Sequence, residues 1–379
     1  MKKEDFPIGF WNYVECGRLD VQRSVEDWKE LGMNCAMSCD AFSVADTAYM
    51  TASLDAAAKE GLRLIVCDSR TQWKNYIGKG EAEFRNDVKA AAADFGGHEA
   101  FLAFHVGDEP DADTWPAMLA AAKIVNEYAR AFVNFFPLFD EDFVARVGTD
   151  HAGYLDKIAD AVRETGLETL CYDCYNQCFV HDGEMGINSY FYNLNSFRET
   201  AKRCGVKMWT TLLSVGHWCY RVPNEDDMRW QISTAVAHGA QGLLWFYVYE
   251  RRLESSYRLA PFDMYYKKTE TFDRLARQNK IFADHFAARL AGASLRRVFH
   301  IRTAYGNTPI YTEGCIEGLT IREKFANPLI VSEFGSPEGD FLLVVNNSQT
   351  DIERITGEYA GKHFDEWLSP GQMLVLENK

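Results

Sequence analysis

The sequence lacks several features that would place a protein in a special class. No apolar run reaches the length of a membrane span, no segment is of low complexity, and residues 1–11 hold no apolar core of a signal peptide. The ten cysteines are scattered along the chain rather than grouped in a small disulfide-rich module. We therefore expect a globular, cytoplasmic protein whose thiols are reduced.

Basic residues are also scarce relative to acidic ones. The chain has 40 Lys and Arg against 55 Asp and Glu, a formal net charge of −15. A charge of this sign opposes binding to nucleic-acid phosphates and to anionic membranes, so neither partner is expected. A neutral or cationic small molecule suits this field better.

What the chain does contain is a regular alternation of strand and helix patterns. Eight strand-like runs, the first at residues 7–14 and the last at 242–249, alternate with eight helical segments, and glycine ends most of the helices. The sixth of these helices is predicted at residues 193–204. This pattern predicts an α/β fold, a (β/α)8 TIM barrel. A doubly wound open sheet is the alternative, but no glycine-rich phosphate loop follows the first strand.

The pattern changes after residue 290. Short β-type runs are separated there by turn clusters such as Ser369-Pro370-Gly371. We predict a catalytic barrel over residues 1–290 and a small antiparallel, β-sandwich-like domain over residues 291–379.

The most informative stretch is residues 100–110, AFLAFHVGDEP. Its continuous apolar run predicts a parallel strand buried on both faces, and Pro110 ends that strand. Asp108 and Glu109 therefore lie at the strand's rim, where apolar surroundings raise the pKa of a carboxyl and suit it to general acid catalysis. The alternative is an ordinary strand-to-helix turn with one of them near a helix N-cap.

The other predicted strand ends carry a similar mixture of side chains. In a (β/α)8 barrel these ends form the active-site face. Carboxylates interleaved with aromatic rings indicate a carbohydrate site, because the rings stack on sugar C–H faces and the carboxylates bind hydroxyls. The substrate-binding residues predicted on this basis are Trp11, Asn12, Asp40, Asp68, Trp73, Asp108, Tyr175, His217, Trp218 and Tyr249.

Gly107-Asp108-Glu109-Pro110 resembles the Asn-Glu-Pro motif of clan A glycoside hydrolases, which include the family 42 β-galactosidases. The stretches 172–175, 260–263 and 267–270 resemble uncharacterised bacterial proteins related to that clan. The resemblance covers residues 7–290. It implies a glycosidase in which Glu109 is the general acid/base, with Asp108 where the family has Asn.

The sequence departs from that family at the seventh strand. Clan A places its nucleophilic Glu at the end of this strand, and residues 208–214 contain no carboxylate. Asp173 on the sixth strand is our first candidate for the second catalytic group. The α-galactosidase-type barrels of clan D also use carboxylates on strands four and six, though with the two roles in the other order. Glu250 on the eighth strand is the second candidate.

Other chemistry-bearing residues have simpler explanations. Cys171, Cys174 and Cys178 do not complete a four-ligand zinc site, and the first two point to opposite faces of a strand. Arg251 and Arg252 are expected to be solvated or paired with Glu250 or Glu254. A phosphorylated substrate would give Arg70 and Arg251 a role, although no anion-binding loop is visible.

Three hypotheses follow. The first is a glycoside hydrolase that cleaves a small oligosaccharide or glycoside with two carboxylates and needs no cofactor or metal. The second is a non-catalytic carbohydrate-binding barrel, and the third is a metal-dependent isomerase or lyase that uses Asp40, Asp68 and a His. The expected partner is a small carbohydrate, and the sequence is compatible with a homo-oligomer.

Overall fold

A computed structural model describes residues 5–41, 43–139, 141–181, 183–251 and 256–378. Eight parallel strands form a barrel in the order β1-β8-β7-β6-β5-β4-β3-β2. The strands are β1 (Ile8–Phe10), β2 (Cys35–Met37), β3 (Arg63–Val66), β4 (Phe101–Asp108), β5 (Ala131–Phe135), β6 (Thr169–Asp173), β7 (Lys207–Leu213) and β8 (Leu243–Phe246). The predicted (β/α)8 barrel is thus confirmed.

The barrel closes between β1 and β2 through Asn34, before β2, and through a parallel bridge between Glu15 and Asp40 beyond the two strands. The backbone N–H of Asn34 donates to the carbonyl of Ile8 at 3.0 Å, and its side-chain oxygen accepts from the N–H of Ile8 at 2.8 Å. A side chain therefore replaces part of the missing strand ladder at this seam.

Helices surround the strands, as the apolar periodicity predicts. They are α1 (Val21–Glu30), α2 (Thr47–Glu60), α3 (Trp73–Lys79), α4 (Glu81–Ala91), α5 (Trp115–Tyr128), α6 (Phe143–Val147), α7 (His151–Thr165), α8 (Gly183–Cys204), α9 (Glu225–Ala237), α10 (Glu270–Phe282) and α11 (Ala288–Ala291). The start predicted for the sixth helix was wrong, because α8 begins at Gly183 and not at residue 193. None of the helices in the described ranges is both long and apolar enough to span a membrane.

The remaining strands form two antiparallel sheets, as expected. One has the order β15-β12-β11-β9 and the other the order β10-β13-β14. These strands are β9 (Ser294–Ile301), β10 (Leu319–Glu323), β11 (Leu329–Gly335), β12 (Phe341–Asn346), β13 (Glu353–Tyr359), β14 (Lys362–Leu368) and β15 (Met373–Glu377). The exact division of the chain at residue 290 stays a prediction.

Both faces of the four-stranded sheet are buried. Val331 and Val344 face the three-stranded sheet in a core of their own, whereas Ile330 and Val345 belong to the core shared with the barrel helices. Two buried histidines meet at this junction: the Nε2 atoms of His238, after α9, and His300, on β9, lie 3.2 Å apart.

Candidate active site

A β-bulge near the end of β4 determines which side chains face the barrel interior. The pairing of β4 with β5 shifts between His105 and Gly107, so that Asp108 pairs with Asn134. Residues three apart on a regular strand face opposite sides, but the bulge lets His105 and Asp108 both point inward. Gly107 is needed at this bulge, since its φ is 155° and a Cβ there would lie 2.3 Å from the ring of Trp73.

One amide joins two carboxyl groups on different strands. Asn134 Nδ2 donates to Asp108 Oδ1 at 3.0 Å and to Asp173 Oδ1 at 2.7 Å. The two N–H bonds of an amide diverge by about 120°, so the two acceptor oxygens lie about 5 Å apart. One buried amide thus holds the carboxyls of Asp108 and Asp173 close together.

Glu109 completes the group, and we refer to Asp108, Glu109 and Asp173 as the carboxyl cluster. Its backbone N–H donates to the carbonyl of Asn134 at 2.9 Å, and its φ of 51° is rare for a residue with a side chain. Unfavourable backbone geometry of this kind persists where surrounding contacts enforce it, and it is frequent at functional sites.

The surroundings separate the pKa values of the cluster. Burial, with the charges of Asp173 and Asp108, raises the pKa of Glu109 to about 10. Burial and Asp173 raise the pKa of Asp108 to about 7, although this side chain is reached by solvent. Burial raises the pKa of Asp173 to about 6, and hydrogen bonds from Asn134 and Tyr175 oppose the rise. At neutral pH Glu109 is thus protonated and Asp173 is ionised.

A cavity of about 210 Å³ adjoins Asp108 at the barrel mouth. Trp11 and Trp73 form part of its wall, and Trp11 is fixed by donating from Nε1 to Thr211 at 3.2 Å. Asp40 also lines it, with a pKa raised to about 6 by burial. Its aromatic walls and carboxyls leave room for a single sugar ring. A larger cleft of about 920 Å³ opens at the opposite end of the barrel, away from the cluster.

Tyr175 and His217 lie on the other side of the cluster. Tyr175 stacks on Phe246, with ring centroids 5.3 Å apart, and donates to Asp173. His217 stacks on Tyr257 at 5.1 Å, and burial lowers its pKa to about 4, so its ring is neutral. Both predicted residues are therefore part of the barrel mouth.

Several predicted site residues have other partners. Both carboxyl oxygens of Asp68 accept from the guanidinium of Arg70 at 2.7–3.1 Å. Asn12 lines the cavity but uses its side-chain oxygen to accept from the N–H of Val14 at 3.0 Å. Trp218 is 64% exposed.

The two predicted residues after β8 lie away from the cluster. Tyr249 is buried between the barrel and its helices, where its hydroxyl accepts from Trp28 at 2.6 Å. A carboxyl oxygen of Glu250 accepts from the backbone N–H of Ala260 at 3.4 Å, and the pKa of Glu250 is raised mainly by burial and further by the charge of Asp263.

Three residues at the barrel mouth were not among the site residues predicted from the sequence: Asn134, Tyr13 and Arg251. Asn134 and Tyr13 stand at predicted strand ends, so their positions carried a usable signal. Arg251 lies with its guanidinium carbon 3.8 Å from the centroid of the Tyr13 ring. Arg252 and Glu254, which the sequence offered as its neighbours or partners, lie outside the described residues.

The cysteines do not form an evident metal site. Cys171 belongs to the barrel interior and Cys174 to the layer between strands and helices, as their odd spacing predicts. All ten cysteines are free thiols. In the described parts of the chain, no three His, Cys, Asp or Glu side chains are grouped in a way that could hold a metal ion.

Comparison with known proteins gives a likeness of structure only. No protein-family model and no curated protein matches the sequence. Among solved structures, the β-galactosidase of Bacillus circulans sp. alkalophilus has a TM-score of 0.57 at 11% identity over 78% of this chain and 58% of its own. The β-galactosidase of Rahnella sp. R3 has a TM-score of 0.55 at 14% identity over 78% and 58%.

A GH5_18 protein of Bifidobacterium longum, solved with Manβ1-4GlcNAc, has a TM-score of 0.54 at 12% identity over 74% of this chain and 78% of its own. The chain thus spans about three fifths of the β-galactosidase chains that it resembles. The predicted resemblance to β-galactosidase-type barrels is confirmed for the fold, and at these identities for the fold alone.

Proposed function

We propose that this protein is a glycoside hydrolase that cleaves a small glycoside with the carboxyl cluster. The observation that carries the proposal is the grouping of three carboxyls at the ends of β4 and β6, in which Asn134 donates to Asp108 and Asp173 while the pKa of the adjacent Glu109 is raised. Glu109 stays protonated at neutral pH, whereas Asp173 is ionised beside it. Glycosidases need one protonated and one ionised carboxyl group, placed on either side of the scissile bond.

The roles follow from these protonation states. Glu109 donates its proton to the glycosidic oxygen as the bond from that oxygen to the anomeric carbon breaks. Asp173 supplies the electron pair, either by bonding to the anomeric carbon or by taking a proton from the attacking water. Asn134 orients Asp173, and Asp108 accepts from the same amide. The sugar ring lies in the cavity beside Trp11 and Trp73.

The proposal is tested with aryl α- and β-glycosides of common sugars, using the wild type and two isosteric variants, Glu109→Gln and Asp173→Asn. Loss of a general acid or a nucleophile should lower kcat by about 10²- to 10⁴-fold. The control is Glu164→Gln, which changes an exposed glutamate of α7 and should leave kcat unchanged. The anomer of the first product distinguishes retention from inversion.

Glu250→Gln belongs in the same series because Glu250 is the competing second carboxylate. If Glu250→Gln abolishes turnover and Asp173→Asn does not, the assignment of Asp173 is wrong. If the wild type hydrolyses none of the glycosides, charged ones included, the proposed reaction is wrong.

A non-catalytic carbohydrate-binding barrel is the second candidate, and the end of β7 favours it. Where clan A has a nucleophile, this chain has Leu213 and Ser214, and the Ser214 hydroxyl donates to the carbonyl of Tyr247 at 3.1 Å. Sugar-dependent thermal stabilisation of the wild type without any hydrolysis would support this candidate.

A further inference from the structure

Arg251 is held at the barrel mouth by aromatic rings. Its guanidinium carbon lies 3.8 Å from the ring centroid of Tyr13, 5.7 Å from that of Tyr247 and 5.8 Å from that of Tyr257. Its backbone N–H also donates to the hydroxyl of Tyr247 at 2.8 Å. Stacking of this kind fixes the plane of the guanidinium and leaves the N–H donors at its edge available.

No carboxylate of the described residues accepts a hydrogen bond from this guanidinium. Most other arginines in the described ranges take part in ion pairs, as Arg70 does with Asp68. Arg251 is near enough to Asp40 and Asp108 to lower the pKa of both. The guanidinium is thus a half-buried cation next to the carboxyl cluster, and its side-chain N–H groups have no carboxylate partner among the residues that the structure describes.

A second cation stands at the cavity itself. Lys74, on α3, lines the cavity together with Asp108 and Tyr13, and its charge lowers the pKa of Asp108. Its side chain is exposed, and it forms no ion pair with any described residue. Lys74 lines a sugar-sized cavity and Arg251 lies against the Tyr13 ring in its wall, and neither cation forms an ion pair within the described residues of a protein whose net charge is −15.

We propose that the sugar bound by this protein carries a negatively charged group, a carboxylate or a sulfate ester, which Arg251 and Lys74 recognise. The inference rests on the proposed function for its reaction, although binding of the anion does not require catalysis. Arg251 suits a planar carboxylate or a sulfate because its fork of N–H groups can form two parallel hydrogen bonds, and Lys74 adds a point charge.

The local cations also resolve an electrostatic difficulty. The overall negative charge, on which we based the expectation of a neutral or cationic substrate, repels an anion. Positive charges close to the bound group dominate over the distant part of that charge, because salt screens interactions beyond about 8–10 Å. Asp40 and Asp108 line the same cavity, and their raised pKa values reduce the negative charge that they place beside the anion. An acidic sugar then binds through a short-range contact that a neutral sugar lacks.

The test compares matched pairs of 4-nitrophenyl glycosides that differ only in charge. One pair is the β-glucoside and β-glucuronide, a second is the β-galactoside and β-galacturonide, and a third adds a 6-sulfate to the neutral sugars. Wild type, Arg251→Gln, Lys74→Gln and the control Arg18→Gln are measured. Arg18 is an exposed arginine after β1 that pairs with Glu15 at 3.3 Å.

We expect the wild type to prefer the charged member of at least one pair. Arg251→Gln should raise its KM about 10- to 100-fold, the range typical of a lost hydrogen bond between charged groups. The KM of the neutral member should change much less than that of the charged member in the same variant, and Arg18→Gln should change neither. A preference for uronides identifies a carboxylate, and a preference for 6-sulfates identifies a sulfate ester.

Two other results separate this inference from the proposed function. If the wild type cleaves neutral glycosides at least as well as charged ones and Arg251→Gln affects both members equally, the anion inference is wrong and the hydrolase stands. If no glycoside is cleaved but free uronic acids or sugar sulfates raise the Tm of the wild type and not of Arg251→Gln, the inference stands and the hydrolase is wrong. If no anionic sugar is cleaved or raises the Tm, the inference is wrong.

Discussion

Asn134 Nδ2 lies 2.7 Å from Asp173 Oδ1, and this contact links the ionised member of the carboxyl cluster to a buried, uncharged donor. The same nitrogen donates to Asp108 at 3.0 Å. A donor that serves two carboxyls stabilises their charged forms and therefore opposes the rise in pKa that burial causes. Asn134 is thus a positioning residue that also keeps Asp173 ionised near neutral pH.

Replacing this amide should shift the pH dependence of catalysis. In Asn134→Ala, Asp173 loses its donor, so its pKa should rise above about 6 and the acidic limb of the kcat/KM profile should move to higher pH. The profile is measured between pH 4 and 10 on a hydrolysed glycoside.

The matched control is Asn126→Ala, which also removes a buried-strand contact: Asn126 accepts from the N–H of Ala131 at 2.7 Å, at the opposite end of β5. This variant should be less stable than the wild type, but the acidic limb of its kcat/KM profile should stay at the same pH. An unchanged limb in Asn134→Ala would show that the amide has no electrostatic role.

The sequence predicts the barrel well because its signals are local and repeated. Apolar runs recur at each unit and glycine ends most of the helices, and every strand of the barrel lies where a run was predicted. The start of α8 was missed since residues 183–192 contain two glycines and several aromatic residues, which weaken the helical pattern. Contacts with the neighbouring helix and strands outweigh this low propensity.

The site was only partly predictable, because its geometry depends on an irregularity. The bulge that turns Asp108 inward has no clear pattern beyond Gly107. Tyr249 was predicted at the site but points outward to Trp28. Because β8 has only four residues, the alternation of side chains along it does not reveal this direction. The predicted strand ends identify candidate site residues. Which of their side chains face the barrel interior depends on the alternation of side chains along each strand and on bulges that interrupt it.

Removing the carboxyl group of Glu109 should stabilise the protein. The pKa of Glu109 is raised from 4.5 to about 10, so between these values the folded protein binds more protons than the unfolded chain. Its stability therefore falls as pH rises through that window. In Glu109→Gln this loss is absent, and the free energy of unfolding should exceed that of the wild type by an amount that grows from pH 5 to pH 8.

Urea unfolding at these two pH values measures the difference. The exposed variant Glu164→Gln should follow the wild type at both. Equal differences at pH 5 and pH 8 would mean that Glu109 is ionised in the folded protein, which would also contradict its role as a proton donor.

The histidine pair at the junction with the β sheets should make the protein sensitive to acid. His238 Nδ1 donates to the carbonyl of Thr234 at 3.0 Å, and His300 Nδ1 accepts from the N–H of Tyr305 at 3.2 Å. Consequently His300 Nε2 carries the proton and donates to His238 Nε2. A second proton would place two N–H groups against each other in a buried space.

Burial lowers the pKa of both rings, that of His300 to about 3. The unfolded chain therefore binds more protons than the folded one between about pH 3 and pH 6.5, and stability falls as pH falls through this window.

In His300→Gln the amide can still donate to His238 but does not titrate, so the decline in Tm from pH 7.5 to pH 4.5 should be shallower than in the wild type. His363→Gln, at a histidine of β14 that is exposed, should leave the slope unchanged. Parallel curves for all three proteins would show that the pair does not govern the response to acid.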